Sequence, residues 1–149
     1  MKKKVLMVCL GNICRSPLAE GILRSKVDPE NVEVDSAGTA GYHVGNPPDS
    51  RSIDTAKKYN IDISQQRCRK FNREDYFQFD YIFVMDRANY TDVLAIAPDD
   101  NYRAKVRLIL EGVESSTAEV PDPYYGGGDG FELVFQLLDQ ACEKLANEL

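Results

Sequence analysis

Val5-Leu6-Met7-Val8-Cys9-Leu10-Gly11-Asn12-Ile13-Cys14-Arg15-Ser16-Pro17 is the stretch on which the reading of the whole chain turns. Val5 to Val8 are apolar without alternation, the pattern of a central parallel strand covered on both faces. Gly11 and Asn12 break the run, and beyond Pro17 apolar residues recur at helical spacing. A buried strand therefore feeds a tight loop that opens a helix. Such a loop can wrap its backbone N–H groups around an anion. Arg15 adds a guanidinium able to make two parallel charge-assisted hydrogen bonds to the same oxyanion. Cys9 falls at the floor of this positive cup, where a thiolate is favoured over a thiol. Taken alone, Cys9 also reads as a small core residue, since free cysteine is among the most buried residue types. Its spacing to Arg15, with a helix start between them, points instead to a nucleophile aimed at a bound phosphate.

Outward from that loop, Ser16 suits an N-cap and Pro17 the first helical position. Leu18, Ile22, Leu23 and Val27 then share one helical face until Asp28-Pro29. Val32 to Val34 reads as a second strand that ends in Asp35-Ser36-Ala37-Gly38. The Gly- and Pro-containing loop from Thr39 to Pro48 holds Tyr42 and the single histidine, His43. Asp49 caps a predicted helix through Ile53, Ala56 and Tyr59, closed by Asn60. Residues 61–79 read as an irregular connection with a short helical turn. Tyr81 to Met85 is a third buried strand, Asp86 to Ala97 a helix stopped by Pro98, and Val106 to Leu110 a fourth strand. Glu111 to Gly130 is a long loop of the kind that tends to be functional. Asp129 with Glu132 resembles a capping box, and the last helix carries Val134, Leu137, Leu138, Ala141 and Leu145 on one face. Strand–helix alternation without repeat or linker predicts one α/β domain over residues 1–149, built on a parallel sheet. Ligands of such sheets bind at the carboxyl ends of the strands, where Cys9, Ser36, Asp86 and the exit toward Asp122 would meet.

With 28% charged and 43% hydrophobic residues, the composition is that of a soluble globular protein. A formal charge of -6, from 18 basic and 24 acidic residues, argues against nucleic acid as a partner. No run approaches the roughly 18 apolar residues of a membrane span. The apolar stretch after Lys2-Lys3-Lys4 is too short for a secretion signal, so a cytoplasmic location is expected. There the four cysteines, Cys9, Cys14, Cys68 and Cys142, are expected to be reduced, with one of them reactive.

Val8 to Pro17 resembles the signature of the low-molecular-weight protein tyrosine phosphatases. Asp35-Ser36-Ala37-Gly38-Thr39 and Asp122-Pro123-Tyr124-Tyr125-Gly126 are similar to two further motifs of that family, in the same order. The resemblance implies a flavodoxin-like three-layer fold with a four-stranded parallel sheet flanked by helices. It implies hydrolysis of phosphotyrosine in proteins through a phosphocysteine on Cys9, with inorganic phosphate as product. Phosphate would be held by the amides of Leu10, Gly11, Asn12, Ile13, Cys14 and Arg15 and by the Arg15 guanidinium. Asp122, by default a turn residue before proline, becomes the general acid and base. Asn12, otherwise a turn residue tolerant of left-handed angles, would hold the loop with Ser36. Ser16 would point its hydroxyl at Cys9. Tyr42, Tyr124 and Tyr125 would line a slot deep enough to exclude phosphoserine. An aliphatic residue at Ile13 goes with phosphotyrosine rather than phosphoarginine. Cys14 would form a reversible disulfide with an oxidised Cys9, whereas Cys68 and Cys142 match no motif. No cofactor, metal or membrane insertion is implied, and a monomer is expected.

One departure stands out. Eukaryotic members carry a loop-supporting histidine soon after the serine matching Ser64, where this chain has Gln65-Gln66 and its histidine lies elsewhere, at His43. Two other functions fit the Cys-to-Arg loop. A thiol-dependent arsenate reductase would need a relay of further cysteines, and residues 69–141 contain none. A non-hydrolytic phosphocarrier would have no use for Asp122.

Overall fold

Alternate residues of β1 (Lys3–Cys9) face two different cores: Val5, Met7 and Cys9 join one apolar cluster, Leu6 and Val8 the other. That double burial is why the strand shows no polar alternation. The computed structural model describes residues 2–113, 117–125 and 128–149, the side chains of Tyr125, Gly128 and Asp129 excepted. β1 lies between β2 (Val32–Gly38) and β3 (Tyr81–Val84), with β4 (Val106–Leu108) beyond β3, and every pairing is parallel. On the Val5 face pack α1 (Arg15–Lys26), α2 (Ser50–Lys57) and α6 (Gly128–Glu148), through Leu18, Ile22, Ala56, Val134 and Leu138. On the Leu6 face pack α3 (Asp75–Gln78), α4 (Arg87–Leu94) and α5 (Asp100–Arg103), through Tyr76, Val93 and Tyr102. This is the expected four-stranded parallel sheet with flanking helices. From β1 the chain crosses to β2 on one side, and β3 adds on the other. The carboxyl end of β1, where Cys9 sits, is thus the topological switch point at which such folds bind ligands.

Several boundaries differ from the sequence reading. β2 runs on to Gly38 because it pairs with β1 along its full length, Cys9 standing opposite Gly38. β3 and β4 stop earlier than expected, at Val84 and Leu108. Asp86 lies outside α4 and caps it, Oδ1 accepting the Asn89 N–H at 2.8 Å. α5 was not expected from the sequence; Asp99 caps it by accepting two backbone N–H groups. α6 starts at Gly128, inside the segment read as loop. The capping box falls on the Asp129 side chain, outside the described residues; Glu132 is bonded by the Tyr59 hydroxyl and Gln136. Asp49 does cap α2, and Asn60, at φ 63°, closes the turn after it. Among the described residues no helix is long and apolar enough to cross a membrane.

Candidate active site

Where β1 ends, Cys9 and Leu10 turn across the end of β2, their carbonyls accepting the N–H groups of Thr39 and Ala40 at 2.9 Å. The crossing is so close that a Cβ on Gly38 would stand 2.8 Å from the Leu10 carbonyl oxygen and 3.0 Å from the Asn12 nitrogen. Only glycine leaves that space. Asn12 then adopts a left-handed φ of 58°, a conformation asparagine tolerates. Its N–H points at Cys9 Sγ (3.3 Å). Its Oδ1 accepts the Arg69 N–H (3.0 Å), and its Nδ2 donates to both Ser16 Oγ (2.8 Å) and Ser36 Oγ (3.0 Å).

Ser16 is not the N-cap. α1 starts two residues earlier than expected, at Arg15, and Cys14 holds the cap position without a side-chain bond. The Ser16 hydroxyl is turned inward, 3.0 Å from Cys9 Sγ. From Ser36 the network continues: its hydroxyl donates to Glu20 Oε1 at 2.7 Å, and Glu20 Oε2 pairs with Arg24 at 3.0 Å. Burial lifts the Glu20 carboxyl to about 7, against the Ser36 hydrogen bond and the Arg24 charge, which favour its ionised form. Gln66 donates to the Pro17 carbonyl at 3.1 Å, so this region still braces the first turn of α1 without a histidine.

Arg15 is buried. Its Nη1 donates to Asp86 Oδ2 at 2.7 Å and to the Val120 carbonyl at 3.0 Å, while Nη2 lies 3.6 Å from Asp122 Oδ2. Burial alone disfavours the guanidinium charge. The Cys9 sulfur, Asp86 and Asp122 more than offset it and hold the Arg15 proton more tightly than usual. Asp86 was expected at this edge but not as the anchor of Arg15. Asp122 Oδ1 also accepts the Tyr124 N–H at 3.0 Å, which fixes the start of the 3-10 turn Pro123–Tyr125.

These groups open on one cavity of about 240 Å³, lined by Cys9, Ile13, Arg15 and Asp122, with Tyr42, His43 and Tyr124 among its walls. Tyr42 and Tyr124 stand at the exposed mouth; the Tyr125 ring lies outside the described residues. His43 was noticed in the sequence but given no place. It packs against the loop after β1, where a Cβ on Gly11 would come within 3.2 Å of its ring. Arg51, also unforeseen, makes a two-pronged contact with Asp49 at 3.0 Å and lies over the rings of Tyr124 and Phe131.

Burial, reinforced by Asp49 and Cys9, pushes the Cys14 thiol up to about 12. Cys68 is less bland than its sequence suggests: its thiol, pushed up to about 11 by burial, donates to the Asn12 carbonyl at 2.7 Å behind the loop. Cys142 is a core residue against α1.

A family model described as low molecular weight phosphotyrosine protein phosphatase matches residues 4–149. The low molecular weight phosphotyrosine protein phosphatase of Schizosaccharomyces pombe is 43% identical over 91% of this chain and 90% of its own length. The protein tyrosine phosphatase from Entamoeba histolytica, solved with Hepes in its active site, is similar with a TM-score of 0.93 at 39% identity, covering 99% of this chain and 96% of that one. Wzb of Vibrio vulnificus, in complex with benzylphosphonate, gives a TM-score of 0.89 at 32% identity over 100% of both chains.

Proposed function

The chain belongs to the low-molecular-weight phosphotyrosine protein phosphatase family, and from that premise we propose that it hydrolyses phosphotyrosine in proteins through a phosphocysteine on Cys9. The observation that carries the proposal is the shared cavity: Cys9, Arg15 and Asp122 face one cleft with aromatic walls. Benzylphosphonate, bound by the Vibrio protein, has the ring-and-phosphorus layout that such a cleft would take as phosphotyrosine.

In the first step the Cys9 thiolate attacks phosphorus, the bond to the tyrosyl oxygen breaks, and Asp122 as the acid gives its proton to that oxygen. In the second, Asp122 as the base takes a proton from water, the water oxygen attacks phosphorus, and the sulfur–phosphorus bond breaks to release inorganic phosphate. Asp86 and Val120 occupy Nη1 of Arg15, which leaves its Nε–Nη2 edge to meet two phosphate oxygens as a fork. The amides of Leu10, Gly11, Ile13, Cys14 and Arg15 complete the cradle, while the Asn12 N–H and the Ser16 hydroxyl serve the sulfur. Phosphoryl transfer needs little beyond such placement and charge stabilisation. Asn12 and Ser36 hold the loop, and Ile13 with Tyr42 and Tyr124 forms the slot.

The same proposal takes residues 1–149 as a single catalytic domain, a cytoplasmic monomer needing no cofactor or metal. With peroxide as oxidant, Cys9 becomes a sulfenic acid, and attack by the Cys14 thiol forms a disulfide as water leaves.

The test is steady-state hydrolysis of phosphotyrosine, phosphoserine and phosphoarginine peptides in the presence of a chelator, beside Cys9→Ser. Turnover confined to phosphotyrosine and absent from the variant is expected. A preference for phosphoarginine would overturn the substrate, and turnover by Cys9→Ser would overturn the nucleophile.

A further inference from the structure

Glu20 is a buried carboxyl, 3% exposed on α1, that takes no part in the steps above. We propose that Glu20 is a positioning residue for the nucleophile, whose carboxylate takes the Ser36 hydrogen and so makes Ser36 the acceptor that holds Asn12 in place against Ser16 and Cys9. The proposal rests on the reading of Cys9 as the nucleophile.

The argument is a count of hydrogens. Ser36 has one, and Glu20 Oε1 takes it at 2.7 Å. Ser36 Oγ therefore meets Asn12 Nδ2 as an acceptor. The second hydrogen on Nδ2 goes to Ser16 Oγ. The Asn12 amide cannot turn over, because the Arg69 N–H holds its Oδ1 and would then face an NH2 group. Ser16, already an acceptor, keeps one hydrogen to give, and Cys9 Sγ at 3.0 Å is nearer than the Ala37 carbonyl at 3.4 Å. Asn12, held by Arg69 on one side and by Ser36 on the other, thus leaves the Ser16 hydroxyl as a donor aimed at the sulfur, and the Glu20 carboxylate is what frees Ser36 to accept.

An amide in place of Glu20 cannot keep this order. With its NH2 toward Ser36, the Ser36 hydrogen is left facing the Asn12 donor. With its oxygen toward Ser36, its NH2 faces the Arg24 guanidinium now paired to Oε2. The charged groups that act on Glu20 are Arg24 on its own helix, Asp35 on β2 and Arg69 from the segment before α3, while Asp62 and Arg67 line the outer cavity it borders. Burial brings its ionisation near neutrality, so the acceptor for the Ser36 hydrogen is a group that titrates in the working range of pH.

Direction separates this role from simple electrostatics. A carboxylate acting only through space disfavours a thiolate, and its removal would speed reaction at Cys9. A carboxylate acting through the network stabilises the thiolate, and its removal slows that reaction.

The experiment is the alkylation rate of Cys9 by iodoacetate at pH 8, where the Glu20 carboxyl is ionised, followed by mass spectrometry, in the wild type, Glu20→Gln, Ser36→Ala and the double variant, each checked for its fold by circular dichroism. Alkylation requires no turnover, so its outcome is separate from that of the phosphatase reading. A loss of about tenfold in each single variant is expected, the size of one donor to a charged group, with no further loss in the double variant. An unchanged or faster rate in Glu20→Gln, or losses that multiply, would overturn the proposal. Should Glu20→Gln fail to fold, a wild-type rate in Ser36→Ala would overturn it alone.

Discussion

Arg15 Nη1 stands 2.7 Å from Asp86 Oδ2, so the guanidinium that closes the nucleophile loop is held from the end of a different strand. Asp86→Asn keeps a good cap on α4 but removes the charge beside a buried cation. Breaking a buried pair costs about 3–5 kcal/mol, and with the Asp86 side chain 22% exposed the lower end applies. Denaturant unfolding is expected to show that loss. Because Arg15 is then free to swing from the phosphate site, KM for p-nitrophenyl phosphate should rise at least about tenfold, equivalent to 1.4 kcal/mol of binding. A variant with unchanged KM would mean that Val120 alone holds the guanidinium.

Asp122→Ala removes the proposed acid. General acid–base catalysis contributes about 10²–10⁴-fold, and the loss should fall within that range for phenyl phosphate. It should be much smaller for p-nitrophenyl phosphate, whose leaving group departs without a proton. Comparing kcat for the two substrates checks the assignment, since equal losses would point to a structural role.

The part of this site carried by one covalent stretch was legible in the sequence. Cys9, Asn12 and Arg15 lie on the loop between a strand and a helix, where local chemistry points to a left-handed residue and an anion-binding cation beside a thiol. The parallel sheet was legible for a similar reason, since doubly buried strands lose their alternation. What escaped depends on the register and packing of distant segments. Asp86 and the Val120 carbonyl reach Arg15 from 71 and 105 residues away. Cys68 bonds Asn12 across 56 residues, and His43 packs close against the loop at Gly11, where a side chain would crowd its ring. The cap reading of Ser16 failed because helix-cap statistics weigh the residue type, whereas its hydroxyl is turned inward to Cys9 and Asn12, as the family resemblance implied. Nothing in the spacing of α1 marks Glu20 as buried.

Ser16→Ala withdraws the hydroxyl from the sulfur. A hydrogen bond to a charged group contributes about 1.5–3 kcal/mol, equivalent to roughly 10–100-fold in rate. In the hydrolysis step the sulfur is the leaving group, so that step should slow most. Stopped-flow measurements with p-nitrophenyl phosphate should then show a burst of nitrophenol, followed by slow turnover. A slow first turnover without a burst would place the effect on attack instead.

Gly38→Ala drives a methyl group onto the Leu10 carbonyl, a backbone atom that cannot rotate away. Overpacking of this kind costs about 1–3 kcal/mol. The displaced atoms belong to the nucleophile loop, so kcat/KM should fall more steeply than the unfolding midpoint. Wild-type kinetics in a destabilised variant would show that the loop tolerates the shift.

Stability should also depend on Glu20, with a sign opposite to that of a salt-bridged carboxylate. Its folded value of about 7 lies above the 4.5 of an exposed glutamate, burial being the cause. Between those values the folded state binds more protons than the unfolded one, so stability falls as pH rises. The contribution is fully present below about 4.5 and is lost as pH passes through about 7. The span corresponds to at most about 3 kcal/mol. Urea unfolding of the wild type and Glu20→Gln at pH 5 and pH 8 checks this: the wild type should lose more stability than the variant between the two. If both lose equally, Glu20 ionises in the folded protein as it does when exposed. The two roles of Glu20 then pull in opposite directions, because the carboxylate that orders the nucleophile's hydrogen bonds is the form the buried site disfavours. A site tuned for stability alone would hold a neutral residue here, and the retained carboxyl fits a loop whose geometry serves the sulfur.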